Sequence, residues 1–355
     1  MANLDRAVDA IGPVEGPDVW TPEAMLARQD WLYVLSPEDV ADVDAAVAAF
    51  IASGRELLEI DRDSFALPHF GERLQQIRHD ILWGRGFVQM RGFPVHRYSR
   101  LQSAVAYMGI GAHLGDRMPS QNAKGHVLGH IYDIGQSKSN PNQRGPYSNE
   151  RIPYHCDTCD IVGLLCLHPA LEGGESKLSS SGAVFNRMLE LRPDLVEELL
   201  KPNYRDRRGE VPPGKEPWYA IPIFNFHQGL FSASVEHTYS GSVARHFDHD
   251  PNSPTMREAE ALLQETAEAL HLDIDFEQGD MQFLHNHTIM HSRGGFRDHD
   301  DTAKRRHLLR LWLTCDDGRP VPACFYDRMG SIETLARPGG IVGPDTVLNC
   351  PLEPA

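Results

Sequence analysis

Two short runs far apart in the chain constrain the fold most: His155-Cys156-Asp157, and His291 within Asn286-His287-Thr288-Ile289-Met290-His291-Ser292-Arg293. In an extended segment residues i and i+2 share a face, so a strand over 154–160 would turn His155 and Asp157 one way and Cys156 the other. His291 lies 134 positions after Asp157. To join the first pair it needs several intervening strands that fold back. Two histidines and one carboxylate on one side of a metal leave three positions open, an arrangement that suits Fe(II) binding an oxidant and a co-substrate together. The reading is an iron oxygenase. His285 and His287 compete for the distal role, but the position of Asn286 and the arginines downstream favour His291. His287 is then a packed histidine behind the metal, and His285 a strand-end residue.

After His291 the chain reads Ser292-Arg293-Gly294-Gly295-Phe296 and then Arg305-Arg306-His307-Leu308-Leu309-Arg310-Leu311-Trp312-Leu313. From His307 this is a strand, dense in Leu and Trp and free of Gly and Pro. Its alternation puts Arg306, Leu308, Arg310 and Trp312 on one face. Arg306 and Arg310 are then roughly 13 Å apart at about 3.3 Å per residue, too far to grip one carboxylate. They take separate tasks: one guanidinium fork for the carboxylate of a co-substrate, the other for an anionic substrate or a structural ion pair.

With these residues in view the chain resembles the taurine dioxygenase (TauD/TfdA) family of Fe(II)- and 2-oxoglutarate-dependent oxygenases. The likeness rests on Gly86 to Pro94, Tyr154-His155-Cys156-Asp157, Gly173-Gly174-Glu175-Ser176, Gly279-Asp280, Asn286 to Arg293 and Arg305 to Leu313. It runs in order from about residue 80 to 315. The resemblance implies that His155, Asp157 and His291 hold iron, that Arg306 and Ser176 hold the far carboxylate of 2-oxoglutarate, and that Arg310 binds an acidic group of the substrate. It further implies an O2-dependent reaction giving succinate and CO2, in which hydrogen is removed from an unactivated C–H bond and hydroxylation follows. Desaturation or cyclisation is the alternative outcome. Where many members carry an arginine-containing strand, this chain has Phe231-Ser232-Ala233-Ser234-Val235-Glu236, so no substrate contact carries over there.

The rest of the chain fits. Strands with long insertions and distant ligands suit a mainly β fold with flanking helices, its core a double-stranded β-helix of the jelly-roll or cupin kind. Residues 1–80 form a helical extension and 81–355 the oxygenase domain, packed as one unit. Ser36-Pro37-Glu38-Asp39 starts a helix with a cap, Pro in the first turn and acids against the dipole. A second helix covers Arg73 to Leu82, and Ser99 with Gln102 caps a third through about Met108. Others run from about Ala183 to Leu200 and from Ser253-Pro254 to Leu270. The stretch Arg205 to Trp218 is a loop or lid over the mouth of the site. With 34 Lys and Arg against 50 Asp and Glu, a net charge of −16 argues against nucleic acid or anionic membrane as partner. The expected partner is a small molecule, with an acidic one preferred on Arg310, Arg205, Arg207 and Arg208; homo-oligomers are left open. No apolar run approaches 18 residues and no basic-then-apolar start occurs, so a cytoplasmic location is expected. Cys156 and Cys159 lack the further ligands of a closed zinc site and read as packing residues. A cupin-type metal enzyme that does not use 2-oxoglutarate and a silent binding protein are the rival classes.

Overall fold

The computed structural model describes residues 11–135, 147–328, 337, 339–343 and 345–354. Among them ten strands build two facing sheets: β1 (Leu32–Val34), β2 (Phe87–Arg91), β3 (Gly129–Tyr132), β4 (Ile152–His155), β5 (Ile161–His168), β6 (Ser176–Ser180), β7 (Leu272–Ile274), β8 (Met281–His285), β9 (Ile289–Arg293) and β10 (His307–Leu313). The larger sheet has the order β1-β2-β8-β5-β10-β3 and the smaller β7-β6-β9-β4. All pairings are antiparallel except β1 with β2. This is the expected jelly-roll core, with strands β8 and β9 crossing from one sheet to the other over a three-residue turn.

Side-chain alternation distributes these strands between three apolar layers. Leu309, Leu311 and Leu313 of β10 face the helices Pro37–Ser53, Phe70–Trp83 and Arg100–Leu114 in the largest core cluster. Leu178, Leu284, Ile289 and Trp312 meet between the sheets. Tyr154, Cys156 and Met290 point outward from the smaller sheet, into the cluster under helices Ser181–Leu191, Pro193–Leu199 and Pro254–Ala269. Cys156 therefore lies on the opposite side of its strand from His155, as the alternation requires.

The helix starts follow their caps. Ser36 accepts from Asp39 N while the Asp39 carboxylate accepts from Ser36 N, and Ser99 with Gln102 repeats the arrangement. Three elements depart from the expectations. The helix begun at Ser99 continues past Met108 to Leu114, because its small residues pack on all sides. The helix expected from Ala183 to Leu200 is two, broken where Pro193, lacking an N–H, starts a new one. The stretch Arg205 to Trp218 is the inner part of a hairpin, Pro202–Asp206 paired with Trp218–Pro222. Arg205 belongs to its strand and is fully buried, donating to Asn203, Ser234 and the Ile221 carbonyl.

The Gly279-Asp280 motif is architectural. Gly279 has φ +89°, and a Cβ there would fall 2.0 Å from the Phe93 carbonyl oxygen. The close approach seats Asp280, 1% exposed, against Arg91 and Gln89 of β2. Gly92-Phe93-Pro94 and Gly279-Asp280 thus meet in space.

Candidate metal and co-substrate site

His155 closes β4 and faces His291 directly across the antiparallel β4–β9 pair, so both imidazoles project from one face with ring centroids 4.1 Å apart. Asp157 lies beyond the strand, which ends at His155 instead of continuing to Asp160. The reason is local: Cys156 N donates to Val235 O and Asp157 N to the Asn286 side chain, so the ladder gives way to a fixed loop. That loop still brings Asp157 beneath the two rings. Its carboxylate oxygens stand 3.9 Å from His155 Nε2 and 4.0 Å from His291 Nε2. One ligand atom from each of the three fits within 4.8 Å of the others.

The protonation states suit a metal. Burial pushes the Asp157 carboxyl up, but Arg310 beside it, the two imidazoles and the Trp312 indole N–H outweigh that and hold it well below the usual carboxylate range. Burial lowers both histidines, His291 to about 3 with the neighbouring His155 adding to it. An anionic oxygen and two neutral nitrogens are the deprotonated donors that a metal requires. His155 Nδ1 bonds the Pro153 carbonyl at 2.9 Å, which fixes the ring and turns Nε2 to the centre. Asp157 is held from behind by Trp312 Nε1 at 2.9 Å and Arg310 Nη1 at 3.2 Å, while Arg310 Nε reaches Gln121 at 2.7 Å. A Trp312→Phe variant should therefore bind Fe(II) about tenfold more weakly. Anaerobic metal titration reads this directly, and unchanged affinity would show that the indole does not position Asp157.

A second group of potential ligands, Asp160, His285 and His287, lies fully buried nearby. Its carboxylate and His287 are engaged by protein groups, and His285 bonds Thr288 through Nδ1. Asp160 accepts from Arg337, from Cys315 N and from His287 Nε2 at 2.8 Å. It is a structural ion pair that ties the metal loop to the β8–β9 turn.

The triad opens into a cavity of about 380 Å³. Arg306, Leu308, Arg310 and Trp312 all line it, the face set out by the alternation along β10. Ser176 lines it too, donating to Gln282 Oε1 at 3.0 Å. Arg306 lies 5.1 Å over the Phe296 ring and its Nη1 has no partner among the described residues. Burial lowers Arg306 to about 10 and Arg293, helped by the Arg306 charge, to about 9, so both remain cations at neutral pH. Gly174 has φ +77°, and a Cβ there would lie 3.1 Å from Arg306 Nε and 3.2 Å from Phe296 Cβ. The Gly173-Gly174-Glu175-Ser176 motif thus makes room for the arginine that it faces.

The far wall carries Glu236, the end of the stretch from which no substrate contact carried over, and His237, Thr238 and Tyr239, which the sequence did not single out. The Glu236 carboxylate accepts from the Tyr219 hydroxyl. Of the three arginines read from the 205–218 stretch, Arg208 alone lines this cavity; its guanidinium lies 4.5 Å over Tyr239. Arg207 stacks on Tyr219 instead. Glu236 and Arg293 receive no role from the sequence because their significance depends on which strands they face, and Gln121 is missed because its partner is 189 positions away.

The sequence profile of the family described as "Taurine catabolism dioxygenase TauD, TfdA family" matches residues 53–312. The chain belongs to this family. FR-33289 synthase of Streptomyces rubellomurinus is 30% identical over 338 residues, 92% of this chain and 97% of that protein. The taurine hydroxylase-like protein SAT17 of Stachybotrys chartarum is 32% identical over 321 residues, 87% and 82% of the two chains. The fold is that of asparagine oxygenase in complex with Fe(II), 2S,3S-3-hydroxyasparagine and succinate, with a TM-score of 0.65, 17% identity and coverage of 88% of this chain and 99% of that one. The oxygenase OrfP, in complex with Fe, succinate and (3S)-hydroxy-L-Arg, superposes with a TM-score of 0.60 at 15% identity over 80% and 94%. As a family member the chain is an Fe(II)- and 2-oxoglutarate-dependent dioxygenase. No helix among the described residues is long and apolar enough to cross a membrane.

Proposed function

We propose that this enzyme hydroxylates an unactivated C–H bond of a small molecule bearing an acidic group, with Fe(II) on His155, Asp157 and His291 and 2-oxoglutarate anchored by Arg306 and Ser176. The observation that carries the assignment is the convergence of these five residues, drawn from β4, its following loop, β6, β9 and the start of β10, on one cavity. Bound there, the iron with O2 and 2-oxoglutarate supplies the oxidant, and succinate and CO2 are the co-products. The protein's part is to position and to exclude water. Trp312 and Arg310 keep Asp157 pointed at the iron, and Arg310 also faces the substrate volume. Retention of Asp157 frees no position for a halide. Substrate acidity is read at the far wall, where Arg208 stacked on Tyr239 offers a guanidinium. Amino acids are the first compounds to try, in keeping with the hydroxylated amino acids held by asparagine oxygenase and OrfP. The six free cysteines are in keeping with a cytoplasmic place.

The test is anaerobic titration of the Fe(II)-loaded protein with 2-oxoglutarate, followed by the visible metal-to-ligand charge-transfer band. A saturable band that disappears in His291→Ala is expected, and its perturbation by candidate acids identifies substrates. Tight metal binding without a band would overturn the assignment.

A further inference from the structure

Arg293 ends β9, two residues after His291, and therefore projects from the same face of the strand. In the antiparallel β6–β9 pair it stands directly opposite Ser176. Its guanidinium lies 4.9 Å from the Phe296 ring centroid, and that of Arg306 lies 5.1 Å from the same centroid. Arg293 is 7% exposed and Arg306 6%. Arg293 Nη2 donates to the Ser148 and Glu150 carbonyls, but its Nε and Nη1, and Arg306 Nη1, have no partner among the described residues. Neither guanidinium has a carboxylate within ion-pair distance among the described residues.

Two buried cations sharing one ring, with three unsatisfied N–H-bearing nitrogens between them, are costly unless an anion joins them. Ser176 does not relieve this, since a neutral hydroxyl brings no charge to offset two cations. We infer that Arg293 is a second cation for the distal carboxylate of 2-oxoglutarate, acting from the smaller sheet with Arg306 at the start of β10 in the larger one. This rests on the assignment of Arg306 to that carboxylate. The backbone carbonyls of Ser148 and Glu150 fix Arg293 in place, so its remaining edge is preorganised toward the cavity. The arrangement makes the site selective for a dicarboxylate over a 2-oxo acid with an uncharged tail.

The experiment compares the dissociation constants of 2-oxoglutarate and 2-oxovalerate, which lacks the distal carboxylate, by anaerobic calorimetry on the Fe(II)-loaded full chain. The wild type should favour 2-oxoglutarate. Arg293→Gln and Arg306→Gln should each reduce that preference roughly ten- to hundredfold, the worth of a charge-assisted hydrogen bond, with little change for 2-oxovalerate. If Arg293→Gln retains the wild-type preference while Arg306→Gln loses it, Arg293 only clamps residues 148–150 and the inference falls. If the wild type shows no preference, the assignment of Arg306 falls with it. Should Arg293→Gln not fold, Arg293→Met removes the charge while filling a similar volume. It should reduce the preference likewise, and an unchanged preference there would overturn the inference.

Discussion

An Asp157→Ala variant is expected to lose iron-dependent turnover by roughly a thousandfold or more, about 4 kcal/mol of barrier at 1.36 kcal/mol per decade. Asp157 is the sole carboxylate of the triad, so its removal leaves two imidazoles and no anionic donor to offset the charge of Fe(II). It also leaves Trp312 Nε1 and Arg310 Nη1 without the oxygen that they address. The cation of Arg310 would then face the metal position directly and repel it. Fe(II) affinity should fall together with succinate formation. Asp157→Asn isolates the contribution of charge, since it preserves shape, and should fall between wild type and Ala. Full turnover in Asp157→Ala, measured as succinate formed with an identified substrate, would refute the metal assignment.

Legibility in the sequence depended on the range of the interaction. Helix starts at Ser36 and Ser99 are decided within three residues, and the caps formed as read. The face shared by Arg306, Leu308, Arg310 and Trp312 needed only the two-residue period of a strand. What failed was set by distant partners. The strand through His155 stops because Asn286, 129 positions on, captures the Asp157 N–H. Arg205 sits in a run that reads as a polar loop, yet the hairpin with Trp218–Pro222 buries it against Ser234. The partition between Arg306 and Arg310 followed from their separation, but the commitment of Arg310 to Asp157 and Gln121 depended on register between strands. The sequence marks His287 as a packed histidine, but its partner Asp160 lies 127 positions away and carries no local signal.

Asp160→Ala is expected to be the most destabilising single change near the site, although the residue touches no part of the cavity. Its carboxylate is fully buried and joins three distant pieces of chain: Arg337, the Cys315 backbone after β10, and His287 in the β8–β9 turn. Removing one side of a buried, hydrogen-bonded pair costs about 3–5 kcal/mol, because the surviving Arg337 cation stays desolvated without its partner. The melting temperature should fall by several degrees. The metal site should suffer second, since the Asp160 carboxylate holds His287, the neighbour of Asn286, whose side chain accepts from Asp157 N. Acid should imitate the substitution in the wild type. Burial raises the Asp160 carboxyl, but the His287 and Arg337 hydrogen bonds override it and hold it well below the ordinary range. A carboxylate depressed in the folded state contributes its full stability above the unfolded value, about 3.9, and loses it progressively as the pH falls below that. The difference in melting temperature between wild type and Asp160→Ala should thus be largest near neutral pH and narrow toward pH 3. A difference that stays constant from pH 7 to 3 would assign the loss to packing instead of charge, and no difference at pH 7 would show that Asp160 does not hold the metal loop in place.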